Sequence, residues 1–256
     1  SLRRPITPSP PTPRPGARTI SIIGTNDLHG AIDRLPIFGG YMNNLRAKRA
    51  ADGGAVVLVD AGDMFQGTLG SNLDEGATVI RAYGQLGYAA AAIGNHEFDF
   101  GPEGPAVTAS GDEDPRGALK ARSAEAGFPL LTANIRDTAS GQRISWPHMP
   151  ASTVIESSGI KIGIIGVTTE ATPFTTMPAN FVGLSMVPPA TALIEEAARL
   201  HAAGVTLVVA AAHVGSKCTD LHSPSDLSSC DQKEELFDMA GALPPGTLNV
   251  IVAGHT

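Results

Sequence analysis

The stretch AVVLVDAGD, residues 55–63, decides how this chain folds. Ala55-Val-Val-Leu-Val59 runs without a polar break, then gives way to Asp60, Gly62 and Asp63. Strict alternation of apolar and polar residues would mark a strand with one wet face, whereas an unbroken apolar run marks a strand covered on both faces. The stretch therefore reads as a buried strand that empties into a polar loop. The same grammar recurs along the chain. TISIIGT (19–25) runs into Asn26-Asp27-Leu28-His29-Gly30. Residues 88–93 run into Gly94-Asn95-His96-Glu97-Phe98-Asp99, 205–212 into His213, and 248–253 into Gly254-His255.

Between these runs lie helical patterns. PIFGGYMNNLRAKRAA (36–51) and ATVIRAYGQLG (77–87) read as helices, the second closed by its glycine. PPATALIEEAARLHAAG (188–204) opens on proline, repeats its apolar residues at helical spacing and stops at glycine. FPLLTANI (128–135) reads as a strand, and 151–159 with 159–169 as a hairpin turning through Ser157-Ser158-Gly159. Residues 101–116, rich in Gly, Pro, Asp and Glu, read as a surface loop. Strands alternating with helices indicate an α/β domain, and the hairpin adds antiparallel pairing, so a mixed sheet or a two-sheet sandwich is expected.

The 256 residues suit one large domain or two small ones, and 42% apolar content supplies a sizeable core. Residues 1–18, SLRRPITPSPPTPRPGAR, hold little that could pack and read as an extended tail or linker. The structured domain is expected over 19–256. A net charge of −7 argues against a nucleic-acid partner, which wants a basic face. No apolar run approaches the roughly 18 residues of a membrane span. The sequence begins at Ser1 without a hydrophobic leader, so a leader removed, or a trimmed piece, is expected. Cys218 and Cys230 flank a Ser-rich polar stretch. The reading favoured is a loop disulfide, hence an oxidising compartment, periplasmic or extracellular; the other is two free thiols in a cytosolic protein.

The informative feature is positional. Ligands of open α/β sheets bind outside the carboxyl ends of the strands. If the five strands align, Asp27, His29, Asp63, Asn95, His96, Asp99, His213 and His255 converge on one crevice. Singly, each has an ordinary explanation: a capping Asp, a common Gly-Asp turn, a satisfied histidine. Together they form a group of carboxylates and imidazoles that is costly to bury without a cation. The remaining polar and aromatic residues keep ordinary readings. His148, His201 and His222 are expected at the surface or in linkers, Trp146 and Phe174 in packing, and Asp112-Glu113-Asp114 in a solvated loop. The chain lacks both G-x-x-x-x-G-K-[ST] and a G-x-G-x-x-G turn after a strand, which excludes those modes of nucleotide binding.

In order, T-N-D-L-H-G, D-A-G-D, G-N-H-E-F-D, A-H-V-G and I-V-A-G-H-T, spread over 25–256, resemble the calcineurin-like metallophosphoesterases. The closest likeness is to the 5′-nucleotidase, UDP-sugar hydrolase and 2′,3′-cyclic phosphodiesterase family. The resemblance implies a four-layer α/β/β/α sandwich carrying two divalent metal ions. Position by position, it implies that Asp27 and His29 hold the first metal, Asp63 bridges both, and Asn95, His213 and His255 complete the second. His96, paired with Asp99, would stand with Asn95 beside the substrate phosphate. Oxygen and nitrogen ligands without thiolate suit zinc or manganese, with cobalt, iron or magnesium as further choices. The expected activity is hydrolysis of nucleotide phosphate monoesters by a water activated between the metals. The alternatives are 2′,3′-cyclic nucleotides, UDP-sugars or a sulfur ester as substrate on the same fold, or a metal-binding scaffold without catalysis. The family's last motif continues past the histidine to a further ligand, and its members carry a C-terminal nucleotide-binding domain. This sequence ends at Thr256, so a partial chain is expected.

Overall fold

The computed structural model describes residues 17–255, apart from Leu221 and Pro224. Most of the expected proline-rich tail (1–16) therefore lies outside the described residues. In chain order the elements are β1 (Ile20–Thr25), α1 (Leu35–Ala51), β2 (Ala55–Asp60), α2 (Leu69–Asn72), α3 (Ala77–Leu86) and β3 (Ala90–Ala92). Next come α4 (Gly117–Glu125), β4 (Leu130–Leu131), β5 (Ile135–Asp137), β6 (Ser152–Ser157) and β7 (Ile160–Thr168). The last are α5 (Thr172–Thr175), α6 (Pro178–Phe181), β8 (Leu184–Met186), α7 (Pro189–Ala202), β9 (Leu207–His213), α8 (Glu235–Ala242) and β10 (Val250–Ala253).

Among the described residues the strands form two four-stranded sheets, β1-β2-β3-β4 and β10-β9-β7-β6, beside a small β5-β8 pair. The first sheet is parallel throughout. In the second, β7, β9 and β10 run parallel and β6 returns antiparallel through the Ser158-Gly159 turn. Of the two architectures expected, a mixed sheet or a two-sheet sandwich, the structure has the sandwich, and the hairpin makes one of its sheets mixed.

The apolar runs resolve into two faces. On β2, Val57 and Val59 point to the other sheet, while Leu58 points outward to the helices. On β9, Val209 and Ala211 point inward, and Val208, Ala210 and Ala212 outward. Ala90 and Ala92 of β3 meet Ile162 and Ile164 of β7 between the sheets. Met42, Val79, Ile80, Tyr83 and Leu119, from α1, α3 and α4, cover the first sheet. Leu193, Ala197, Leu200 and Met239, from α7 and α8, cover the second. The result is helix, sheet, sheet, helix. A fully buried Val or Leu stabilises such a layer by about 1.5–3 kcal/mol, which is why the buried middle positions of β2, β7 and β9 are apolar.

The register brings the strand ends level. Thr25 pairs with Asp60 at the end of β1 and β2, Thr168 with His213 at the end of β7 and β9, and Ala212 with Ala253 on β9 and β10. Thr168 Oγ1 donates to the carbonyl of Ile93, which ties the two sheets together at that edge. Expectation and structure differ in places. The strand expected over 128–135 is only Leu130–Leu131, then a break, then β5. Asn134 occupies that break: its amide donates to Thr168 O (2.7 Å) and Val187 O (3.1 Å) and its Oδ1 accepts from Thr168 N (2.9 Å). Phe174, expected in packing, stands 87% exposed on α5. Trp146 does pack against the first core and carries Lys120 4.7 Å over its ring.

Candidate metal centre

Two exit loops lie side by side at the level edge. Asp27 N donates to Gly62 O (3.0 Å), His29 N to Asp63 O (3.0 Å) and Gly30 N to Met64 O (2.9 Å). The loop after β1 thus continues the ladder along the loop after β2. That ladder holds side chains in uncommon backbone states. Asp27, His29, Asp63 and His255 have φ of 50°, 47°, 58° and 68°. The left-handed region disfavours residues with a Cβ, and such outliers gather at functional sites. Gly62 (φ 96°) takes the sharpest step, where a side chain would meet Gly94 N and His213 Nδ1 within 3 Å.

The innermost residues are almost dry: Asp63, Asn95 and His213 are 2%, 1% and 0% exposed. His213 Nδ1 lies 2.9 Å from the Ala61 carbonyl, which only accepts, so Nδ1 carries a proton. Its Nε2 faces Asn95 Oδ1 (2.9 Å), Asp63 Oδ2 (3.0 Å) and His255 Nδ1 (3.2 Å). Asn95 is turned this way round because its Nδ2 donates to Thr175 O (2.9 Å). In the neutral tautomer a lone pair would therefore point at other lone pairs. A proton or a cation is needed between them.

Burial works against charge on His213, but the hydrogen bond and charge of Asp63 outweigh it and raise its pKa. Burial likewise opposes ionisation of Asp63, but His213, with help from His96, outweighs it and lowers its pKa. Burial and the His213 charge lower His255, so its imidazole is the neutral, ligand-competent form.

A second group lies towards solvent. His29 Nδ1 is satisfied by Gln66 O (2.9 Å), and its Nε2 lies 3.8 Å from Asp27 Oδ1 and 4.0 Å from Asp63 Oδ2. Asp27 Oδ2 accepts from Asn26 Nδ2 (2.6 Å) and from His255 N (3.0 Å), which joins the first loop to the last. Among the described residues two sets of donor atoms fall within 4.8 Å of one another: His29, Asp63 and His96, and Asp63, His213 and His255. Asp63 belongs to both. The donor chemistry, imidazole and carboxylate converging without thiolate, fits a pair of divalent cations sharing one carboxylate.

His96 and Asp99 form a pair at the rim. His96 Nδ1 lies 2.5 Å from Asp99 Oδ2, and Asp99 Oδ1 accepts from Thr176 Oγ1 (2.8 Å) and Met177 N (3.3 Å). The Asp99 hydrogen bond, against some burial, pushes His96 up to about 9, so it is a cation at neutral pH. Its ring meets that of His29 edge-on at 5.3 Å. A cavity of about 460 Å³ opens beside the pair, lined by Gln66, Asn72, Asp99, Phe100, Thr176 and Met177.

All eight sequence candidates thus meet in one place. Cys218 and Cys230 are joined, S–S 2.07 Å, in the loop that follows His213. His148 and His222 are exposed, and His201 bonds the carbonyls of Val205 and Thr247 away from the site. Two residues at the site carried no sequence assignment. Asp60 is buried beneath the loops, held by Thr25 Oγ1, Gly62 N and Tyr83 Oη, and burial pushes it up to about 7. Glu97, also buried, collects four backbone N–H groups. Its place inside Asn95-His96-Glu97-Phe98-Asp99 was the available signal; its inward direction was not readable.

No family model matches the chain. Protein UshA of Escherichia coli K12 is 31% identical over 251 residues, covering 93% of this chain and 40% of that protein. A 5′-nucleotidase of Vibrio cholerae is 31% identical over 253 residues, again 93% of this chain and 40% of the relative. Among solved structures, the NAD nucleotidase of Haemophilus influenzae superposes with a TM-score of 0.68 at 20% identity, over 93% of this chain and 38% of that one, a likeness of fold. The chain spans about 40% of the length of the curated relatives it matches. Among the described residues no helix is long and apolar enough to cross a membrane.

Proposed function

Because this chain belongs to the 5′-nucleotidase family of metallophosphoesterases, we propose that residues 19–256 are the metal-binding domain of a phosphohydrolase that removes phosphate from 5′-nucleotides. The observation that carries this reading is the single buried carboxylate, Asp63, common to two converging donor groups. Asp27, His29 and Asp63 are assigned to one cation, and Asp63, Asn95, His213 and His255 to the other. A pair of divalent cations, when bound, supplies Lewis acidity towards a phosphoryl oxygen and lowers the pKa of water held between them. Zinc and manganese suit this donor set best.

The protein's own groups do the rest. Ala61 and Gln66 carbonyls fix the tautomers of His213 and His29, so each presents its Nε2 to the site. Thr175 orients Asn95 in the same way. Asp99 holds His96 protonated, and the imidazolium faces the place where phosphate charge moves in the transition state. His29 and His96 are partly exposed and His213 is not, so the substrate approaches from the His29 and His96 side. The cavity beside Asp99 has room for part of the leaving group. The nucleotide's remaining contacts are assigned to a further C-terminal domain, since the relatives are much longer than this chain. The disulfide and the kinship with UshA support a periplasmic or extracellular setting.

The test is a substrate panel on the full-length protein, stripped of metal and resupplied with single ions. AMP, 2′,3′-cyclic AMP, UDP-glucose and an aryl phosphate are compared by released phosphate. AMP turnover that depends on an added divalent ion is expected. Two bound ions without turnover of any of the four would overturn the enzymatic reading in favour of a scaffold.

A further inference from the structure

We propose that Glu97 is a positioning residue that locks the Asp63 loop to the Asn95 loop, an inference that rests on the two-cation reading above. Glu97 is 1% exposed, at the bottom of the site, and touches none of the proposed ligand side chains through a hydrogen bond of its own carboxylate. What it touches is backbone. Oε1 accepts from Met64 N (2.7 Å) and Phe65 N (3.2 Å), and Oε2 from Asp63 N (2.9 Å) and Gly94 N (2.6 Å). Three successive N–H groups, at residues 63–65, therefore converge on one carboxylate, the arrangement in which backbone amides make an anion-binding concavity. Here the acceptor is built in: burial and the Asp63 charge push the Glu97 carboxyl up to about 7, and the backbone N–H groups work against them by favouring its ionised form.

The geometry explains how Asp63 keeps its left-handed backbone (φ 58°) at the site. That state is costly for a residue with a Cβ and persists only when the surroundings over-determine it. Gly94 N ties the same carboxylate to the strand exit that carries Asn95 and His96, while His96 N donates to Asp63 Oδ1 (3.0 Å) in return. The two loops are thus stitched twice, once through each acid. Glu97 sets where the loops lie, and Asp63 presents its second oxygen to His213 and His29. A buried N–H left without an acceptor is expensive, so no neutral side chain of the same size can take over all four bonds. Gln at this position would turn an N–H₂ group towards N–H donors.

The experiment uses the full-length protein with Glu97→Gln and Glu97→Asp, and Val154→Ala at an exposed position on the edge strand β6 as control. In metal-free protein, hydrogen exchange of the peptides covering 62–66 and 93–98 reads the stitching without any ion. Titration with Zn²⁺ or Mn²⁺ reads the positioning. Removing a partner that orients metal ligands costs about 10–100-fold in metal affinity. The expectation is faster exchange confined to those two peptides in both variants, with divalent affinity weakened by that factor and the far-ultraviolet spectrum unchanged. Wild-type exchange and affinity in Glu97→Gln would overturn the proposal. If neither variant folds, wild-type exchange decides: protection at 62–66 no better than in the 101–116 loop would overturn it. Wild-type protein that shows the protected peptides but binds no divalent pair would refute the two-cation reading and leave the stitching standing.

Discussion

Replacing Gly94 by alanine puts a methyl group into the gap where the Asp63 and Asn95 loops approach. A Cβ built at residue 94 lies 2.2 Å from Asp63 Oδ1 and 2.5 Å from Asp63 N. Ordinary contact begins at 3.4 Å, so the carboxylate must retreat by about 1 Å or the two loops must part. The backbone at Gly94 is one that alanine also adopts, so the effect is space alone. Overpacking of this kind costs roughly 1–3 kcal/mol. At about 2–4 °C for each kcal/mol in a chain of this size, the melting temperature should fall by roughly 2–12 °C. The effect on function should be larger. Asp63 belongs to both donor groups, and a misplacement of about 1 Å at a reacting centre costs on the order of 100-fold in rate. The assay is turnover of an aryl phosphate by full-length protein, with bound metal measured after dialysis. Gly84→Ala in α3 is the control: a Cβ there meets nothing within 4 Å, and alanine should stabilise the helix by about 0.5–1 kcal/mol. Gly94→Ala with native metal content and native turnover would refute the claim that this gap positions Asp63.

Other perturbations separate the parts. His96→Ala should lower kcat by roughly 100–10,000-fold while both metal sites stay filled; loss of metal instead would make His96 a ligand alongside His29 and Asp63. Reduction of the Cys218–Cys230 bond releases a loop with a sequence separation of 12, worth about 3 kcal/mol on the chain-entropy account. Alkylation should find no thiol in the native protein and two after reduction, and two in the native protein would contradict the bridge. Glu196 accepts from Arg199 and Ser152, which outweigh its burial and hold its pKa below the usual range. A lowered carboxylate contributes stability above its unfolded value, near 4.5, and loses it as pH falls through the folded value. Glu196→Gln should therefore destabilise at neutral pH and differ less from wild type as the pH falls; a difference that grows in acid would contradict the assignment.

How much of this could be read beforehand depended on whether the signal was local. The buried strands were legible because AVVLVD and GIKIGIIGV must be apolar on both faces, and the sandwich supplies a neighbour for each face. The helix over 188–204 announced both of its ends. Helices α4 and α8 did not: α4 opens on a glycine with no side-chain cap, and α8 is eight residues long with no basic residue in its last turn. The break at Asn134 was hidden because its partners, Thr168 and Val187, are remote in sequence. Phe174 was misplaced because aromatic content alone says nothing of direction. The candidate site was legible as residue types at strand exits, a property of order along the chain. Glu97 was not, since its partners are backbone groups 3 to 34 residues away, and backbone leaves no mark in a sequence.

The most direct measurement is anomalous diffraction from crystals of the full-length protein grown with Mn²⁺ or Zn²⁺. Two peaks are expected, about 3.5–4 Å apart, one on each side of the Asp63 carboxylate. One peak, or two that do not share Asp63, would contradict the account.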